Sequence, residues 1–289
     1  MMKTILYATD YSDNSIAALQ FAHSLSKKFK SKLFVLHVFD LSVTIASTVS
    51  LSYSRKEVKA YKEHKERLYS FCEEHLGVEP DNSNITLKVK EGTPTWESII
   101  NSANELKVDF IVVGKKGESA IKEVLLGSTT SSLIEKSDCP VLAIPERVSR
   151  KEIKTIAYAA ALEEADLQAI EKLLVMAKQF KASIHVVHIS TKSEYAGEDQ
   201  MEWFKEMLLQ RINYNKLYFE LRFSEDVFRA LKQYVNEIDP NMLVMLERQG
   251  HSLIKNIWHR DIVKRMLTES KFPLMTYHKK NLKKESVTS

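Results

Sequence analysis

Three of the chain's seven glycines fall at Gly114, Gly117 and Gly127, and Ser128, Thr129 and Thr130 follow directly on the last. A residue without Cβ permits positive φ and lets backbone N–H groups approach an anion closely. The hydroxyl residues open a helical pattern, and the first N–H groups of a helix lack partners and carry partial positive charge. This combination suits phosphate binding by bare backbone. A turn followed by a capped helix would explain one such glycine. Three at this spacing, placed after the buried-strand run "FIVV" (Phe110 to Val113), point to a ligand.

The elements that must position these residues alternate. Ile5 to Ala8 is of strand type, and Ile16 to Phe29 carries apolar residues at helical spacing with Asp13 as its N-cap. Leu33 to Val38 reads as a buried parallel strand. Arg55 to His75 is a polar helix stopped by Gly77, and Ile85 to Val89 a strand. Thr95 to Leu106 is a helix behind Pro94, and Phe110 to Val113 a buried strand. Ser128 to Ser137 is a helix, and Val141 to Ile144 the last strand. This order predicts an open parallel five-stranded sheet with helices on both faces. Ligands of such sheets bind beyond the C-terminal strand ends, where Gly114 lies.

The pattern then recurs. "KTILYATD" from Lys3 faces "KTIAYAAA" from Lys154, and "LFVLHV" from Leu33 faces "IHVVHI" from Ile184, both at an offset of 151 residues. "IKEV" at Ile121 faces "IKNI" at Ile254, an offset of 133. The middle of the second half is therefore shorter, mainly opposite the Ser/Thr-rich stretch Asp40 to Ser54. Two tandem α/β domains are expected, at 1–147 and 151–280, with a tail over 281–289. The closing strands "PVLAIP" and "FPLMTYH" are exposed apolar edges unless they pair with each other, which would make the chain an intrachain pseudo-dimer. A further homodimer is compatible with this arrangement.

Composition bounds the function. With 44% hydrophobic and 28% charged residues the chain is of folded, globular type. A net charge of +4 from 42 basic and 38 acidic residues gives no footprint for nucleic acid. The longest apolar run, Ile156 to Leu162, is far below the ~18 residues of a membrane span. No signal-peptide core precedes Asp10, and Cys72 and Cys139 form no metal or disulfide framework, so a cytoplasmic location is expected. No G-x4-G-K-[ST] or G-x-G-x-x-G occurs, which excludes the P-loop and dinucleotide fingerprints. His37 and His188, at matching strand positions, read as core histidines. Lys115 and Lys116 read as phosphate contacts or solvated loop residues. "RKEVKAYKEHKERL" reads as a solvated helix face with pairs such as Glu63–Arg67, Cys72 as a buried residue, and Trp203 to Leu209 as a helix contributing to the core.

The array Gly114-x2-Gly117-x9-Gly127-Ser128 resembles the G-x2-G-x9-G-[ST] motif of the ATP-binding branch of the universal stress proteins. "ILYATD", "LHV", "EGTP" and "CPVLAIP" resemble that family's first and second strands, third strand–helix turn and closing strand. The resemblance covers nearly all of the first half and, through the repeat, the second half more loosely. It implies the family's Rossmann-like fold and an adenine nucleotide, ATP, ADP or AMP, with Mg²⁺ held through the phosphates. Ala8, Thr9 and Asp10 would lie by the adenosine, Val38 would meet the adenine through its backbone, and Val113 and Gly114 would flank ribose and phosphates. Gly117, Gly127, Ser128, Thr129 and Thr130 would hold the phosphates. Ala8 stands where the family often has proline.

Under the two offsets the second half has Ala161 for Asp10, Glu247 for Gly114, Gly250 for Gly117, Arg260 for Gly127 and Asp261 for Ser128. Carboxylates beside a polyanion repel it, so the second half is expected not to bind ATP. Three functions remain open. One is a nucleotide-binding stress-response protein whose occupancy regulates a protein partner. Another is a slow ATPase or autokinase acting on Ser128 or Thr129, without an assigned catalytic residue. The third is a nucleotide-independent interaction module.

Overall fold

The computed structural model describes residues 2–41, 51–80, 84–115, 127–148, 152–192, 197–247 and 255–282, with the backbone alone over 51–55, 255–261 and at 281. The first half runs β1 (Thr4–Thr9), α1 (Asp13–Phe29), β2 (Lys32–Phe39), α2 (Leu51–Leu76), β3 (Ile85–Glu91), α3 (Thr95–Glu105), β4 (Phe110–Lys115), α4 (Ser128–Lys136) and β5 (Val141–Pro145). The second half repeats it: β6 (Thr155–Ala159), α5 (Glu164–Phe180), β7 (Ser183–Ser190), α6 (Gly197–Arg211), β8 (Leu217–Phe223), α7 (Val227–Ile238), β9 (Met242–Glu247), α8 (Lys255–Glu269) and β10 (Leu274–His278), with a short α9 (Lys279–Leu282) after it.

Strands with no polar alternation must be covered on both faces, and these are. Ile5, Leu6 and Tyr7 of β1, and Phe110, Ile111 and Val112 of β4, are fully buried, as are Met242 to Leu246 of β9. Each half is a parallel sheet, ordered β3-β2-β1-β4-β5 and β10-β9-β6-β7-β8. The two closing strands pair antiparallel, with Leu274 opposite Ala143, Met275 opposite Leu142 and Thr276 opposite Val141. Both expected edges are thereby consumed, and the two sheets become one of ten strands. The core layer on either side of this sheet contains residues of both halves: Ile144 with Met275 and Tyr277 on one face, Ala143 with Leu274 on the other.

Local details refine the sequence reading. The residue preceding α1 is Ser12, whose side chain makes no capping bond to the helix, and Asp13 is already helical. Its carboxylate still sits favourably at the positive end of the helix dipole. The polar helix α2 is not solvated all round. Leu68, Phe71 and Cys72 are buried and Tyr61 and His64 half-buried, a stripe at helical spacing. Glu63 pairs with Lys59 at 3.6 Å, while Arg67 lies 4.2 Å over the ring of Tyr11. Burial pushes the Cys72 thiol up to about 12, which fits an inert core residue. On α6, Phe204 and Leu208 are buried, whereas Trp203 and Leu209 remain half-exposed.

The repeat extends to individual hydrogen bonds. Asp109 Oδ2 accepts the amides of Lys3 and Thr4 at 2.6 and 2.8 Å; Asn241 Oδ1 accepts those of Lys154 and Thr155, both at 2.8 Å. Each side chain bridges the start of the central strand to the strand beside it. Asn241→Ala should lower the unfolding free energy by about 1–3 kcal/mol, because two amides lose their acceptor. Asn241→Asp, which copies the first half, should stay close to wild type. Urea unfolding measures both.

Candidate functional site

In the first half β1 pairs with β2 on one side and β4 on the other. The strand order reverses between β1 and β4, and in open sheets of this type the crevice used for ligands lies beyond the C-terminal strand ends at that point. The residues singled out in the sequence converge there. Ala8 and Thr9 end β1, Val38 stands next to last in β2, Val113 and Gly114 lie in the last three positions of β4, and Gly127 to Thr130 open α4. Ala8 and Val113 are register partners. Gly117 lies outside the described residues, as does Lys116.

The turn after β1 is pinned from several sides. Tyr7 Oη donates to the Ser15 carbonyl at 2.6 Å, and Ser15 Oγ lies 3.1 Å from Thr9 Oγ1. Thr9 Oγ1 also accepts the Tyr11 amide at 3.0 Å. Tyr11 itself takes the left-handed conformation, φ 63°. Asp10 is exposed at the rim, and its Oδ1 accepts both the amide and the hydroxyl of Ser12, at 3.0 and 2.6 Å.

The two described glycines of the motif differ in kind. A Cβ on Gly114 would stand 2.6 Å from the Asn14 carbonyl oxygen, inside the first turn of α1. Positive φ plays no part, since Gly77 alone adopts it among the described glycines. Gly114 is therefore required by the packing of α1 on β4. Gly127 has φ −55° and ψ 128°, open to any residue, and a Cβ there would meet only Thr130 Oγ1, at 4.0 Å, among the described residues. Gly127 occupies the N-cap of α4 and offers no capping side chain. Ser128 is exposed and Thr129 half-exposed. The Thr130 side chain is buried and its hydroxyl donates to the Gly114 carbonyl at 3.3 Å, so the hydroxyl is engaged within the fold.

Beside the crevice stands a group the sequence reading did not assemble. The rings of Tyr11 and His37 are 4.3 Å apart, those of His37 and His64 5.0 Å, and those of Phe39 and His64 4.4 Å. His37 Nδ1 lies 2.9 Å from the Thr9 carbonyl, so Nδ1 carries the hydrogen. His188 Nδ1 makes the matching contact with the Ala160 carbonyl at 3.0 Å, which places both as core histidines. The signal for His64 was its spacing from Tyr61, Leu68 and Phe71, masked by the charged residues between them. Lys115 was also missed. It is 2% exposed, and its Nζ donates to carbonyls of the other half rather than reaching solvent or the rim.

The second half builds the same rim from other chemistry. Leu162 takes the left-handed conformation of Tyr11, φ 59°. Asp166 stands where the first half has Ser15. Its buried carboxylate accepts from Tyr158 Oη at 2.8 Å and from the Ala161 and Glu163 amides at 3.1 and 3.0 Å. The register also corrects the counterpart of Gly114. Phe110 faces Ile5 in the first half and Met242 faces Ile156 in the second, which puts Leu246 opposite Gly114 and the buried Glu247 opposite Lys115. The apparent offset of 133 holds for α4 and β5 but not for β4, where it is one less. Gly250 and the side chains of Arg260 and Asp261 lie outside the described residues.

Residues 1–145 match the model of the universal stress protein family. The chain belongs to that family. Universal stress protein MJ0577 of Methanocaldococcus jannaschii is 29% identical over 162 residues, which cover 52% of this chain and 98% of that protein. Universal stress protein YxiE of Bacillus subtilis is 35% identical over 155 residues, covering 50% of this chain and 99% of that one. These relatives have the length of one half. A universal stress protein from Archaeoglobus fulgidus has a solved structure with a TM-score of 0.70 at 18% identity, over 96% of this chain and 98% of that one. The family's fold thus extends across both halves. Among the described residues no helix is long and apolar enough to cross a membrane, and no cluster of His, Cys, Asp and Glu is arranged for a metal ion.

Burial, with the neighbouring His64 and Arg67 charges, holds His37 below the ordinary histidine range, and burial with Arg67 does the same for His64. Burial also lowers His23, His185 and His278. The unfolded chain therefore takes up these protons first as pH falls. The stability they contribute should be complete above pH ~6.5 and decline below it, through the lower folded-state values. Urea unfolding between pH 7.5 and 5 should show that decline, and it should be shallower in His37→Gln combined with His64→Gln.

Proposed function

We propose that the first half binds an adenine nucleotide, ATP with Mg²⁺ carried on its phosphates, and that occupancy alters the surface offered to a protein partner in a stress response. The observation that carries the reading is Gly127. Among the described residues nothing crowds its Cβ position, its backbone angles are open to any residue, and it places bare backbone at the mouth of a helix. Bare backbone at a helix N-terminus leaves the α4 amides open to an anion, and a phosphate is chemically suited to them.

The remaining residues fit that ligand. The amides of Ser128, Thr129 and Thr130 and the Ser128 and Thr129 hydroxyls would take phosphate oxygens, with Gly117 and Gly114 on the approaching strand side. Asp10 Oδ2 is left to accept from a ribose hydroxyl or the adenine amine, since Oδ1 is engaged with Ser12. Ala8, Thr9, Val38 and Val113 would line the nucleoside end with backbone and apolar surface. The metal would be held chiefly by the phosphates, as Mg²⁺ usually is.

The second half does not bind nucleotide in this reading. Ala161 supplies no carboxylate to the nucleoside. The Asp166 carboxylate has taken two amides of the turn after β6, which are then not available to a ligand. One Mg-ATP per chain is expected by calorimetry. Gly127→Ser gives α4 a capping side chain, so stability should hold or rise by roughly a few tenths of a kcal/mol. Its hydroxyl competes for the same amides, and affinity should fall at least tenfold. Unchanged affinity in Gly127→Ser, or two nucleotides per chain, would remove the proposal.

A further inference from the structure

We propose that the second half serves as a clamp on the first half's glycine motif, with Lys115 and His278 as the positioning residues. The proposal rests on the nucleotide reading for its ligand, but the clamp itself is visible without one. Lys115 closes β4 directly after Gly114. Its buried Nζ donates to the carbonyl of Leu267 at 2.8 Å and to that of Ser270, at the end of α8 in the opposite half. The last carbonyls of a helix have no donors of their own and carry partial negative charge, so a lysine is the residue suited to reach them. Both of these acceptors belong to the other half.

The far side of the motif is held in the same way. α4 begins at Ser128, and its Glu135 carbonyl lies 3.1 Å from His278 Nε2 at the end of β10. The Lys280 amide donates to His278 Nδ1 at 3.2 Å, which leaves Nε2 as the protonated nitrogen and therefore as the donor to Glu135. Between the two anchors, the Thr130 hydroxyl joins α4 back to Gly114. The strand entering the motif and the helix leaving it are thus each fixed by a donor–carbonyl contact across the junction. A half that has lost its own rim retains the task of setting the separation between β4 and α4, into which the phosphates must fit.

Hydrogen exchange and Mg-ATP calorimetry on the full chain test this, using wild type, Lys115→Met, His278→Phe and His278→Gln. In Lys115→Met and His278→Phe, amides at 112–115 and in the first turn of α4 should exchange at least tenfold faster. Those of β6 and β7, remote from both contacts, should exchange as in wild type. Mg-ATP should bind roughly fivefold or more weakly in these two variants. His278→Gln, whose side-chain amide donates from a similar position, should recover both properties. Should Lys115→Met fail to fold, the two His278 variants carry the test. Unaltered exchange around the motif overturns the clamp, as does unaltered nucleotide affinity in variants whose exchange has risen. If wild type binds no nucleotide, the functional reading fails while the exchange data still decide whether the second half holds the motif.

Discussion

The antiparallel pairing of β5 with β10 is the contact on which the rest of the molecule depends. A five-stranded open parallel sheet has two edges, and its closing strand here is buried throughout: Val141 to Pro145 in one half and Leu274 to His278 in the other are buried along their length. Strands of that kind cannot be left facing water. Pairing them inverts one half relative to the other, so the C-terminal rim of the first half comes beside the N-terminal strand ends of the second. This inversion lets Lys115, at one rim, reach the end of α8, which leads into β10. It also carries the end of β10 to the end of α4. A parallel junction would have set rim beside rim and made neither contact.

The two halves show how a backbone can be kept while its chemistry is replaced. The left-handed turn after the first strand survives as Tyr11 and Leu162, and the histidine-to-carbonyl bond survives as His37 and His188. At that turn Ser15 has become Asp166. A serine hydroxyl there leaves the amides of the turn to Thr9 and Asp10 side chains, near the surface. A carboxylate reaches further and collects two amides and the tyrosine hydroxyl, and these three donors offset the cost of its complete burial. The second half thereby gains a self-sufficient turn and loses an exposed acid at its rim. Gly114 to Leu246 is the matching change on β9. A side chain is admitted there because α5 does not press on β9 as α1 presses on β4.

Much of this was legible in the sequence, for identifiable reasons. Strand and helix types followed from continuous apolar runs against helical spacing, and the edge pairing followed from the apolar ends of both halves. That Ala8, Thr9, Val38, Val113 and Gly114 stand at neighbouring strand ends could be read because parallel topology alone brings those ends together. What could not be read was the third dimension of side chains. Lys115 looked like a loop residue because nothing in its neighbours shows that another half lies over it. His64 was hidden in a charged helix whose inward stripe is mostly tyrosine and histidine rather than leucine. The counterpart of Gly114 was misplaced by one residue because the ungapped match at Ile121 and Ile254 does not hold back through β4. Only the strand register, with Asp109 and Asn241 in equivalent roles, exposes the shift.

Glycine in this chain answers to two different constraints, and separating them gives the motif its meaning. Gly114 would be selected with or without a ligand, since the carbonyl of Asn14 fills the space of its Cβ. It says that α1 is close, and nothing about phosphate. Gly127 faces no such neighbour among the described residues and adopts a conformation common to all residues, while a serine or aspartate at the same N-cap would stabilise α4. A chain with only seven glycines forgoes that stabilisation at one helix mouth, and does so where β4, α1 and α4 converge. The pattern of three glycines is therefore a composite. One member is dictated by packing, one is a bare N-cap that no described neighbour dictates, and the proposed phosphate contact rests on the second.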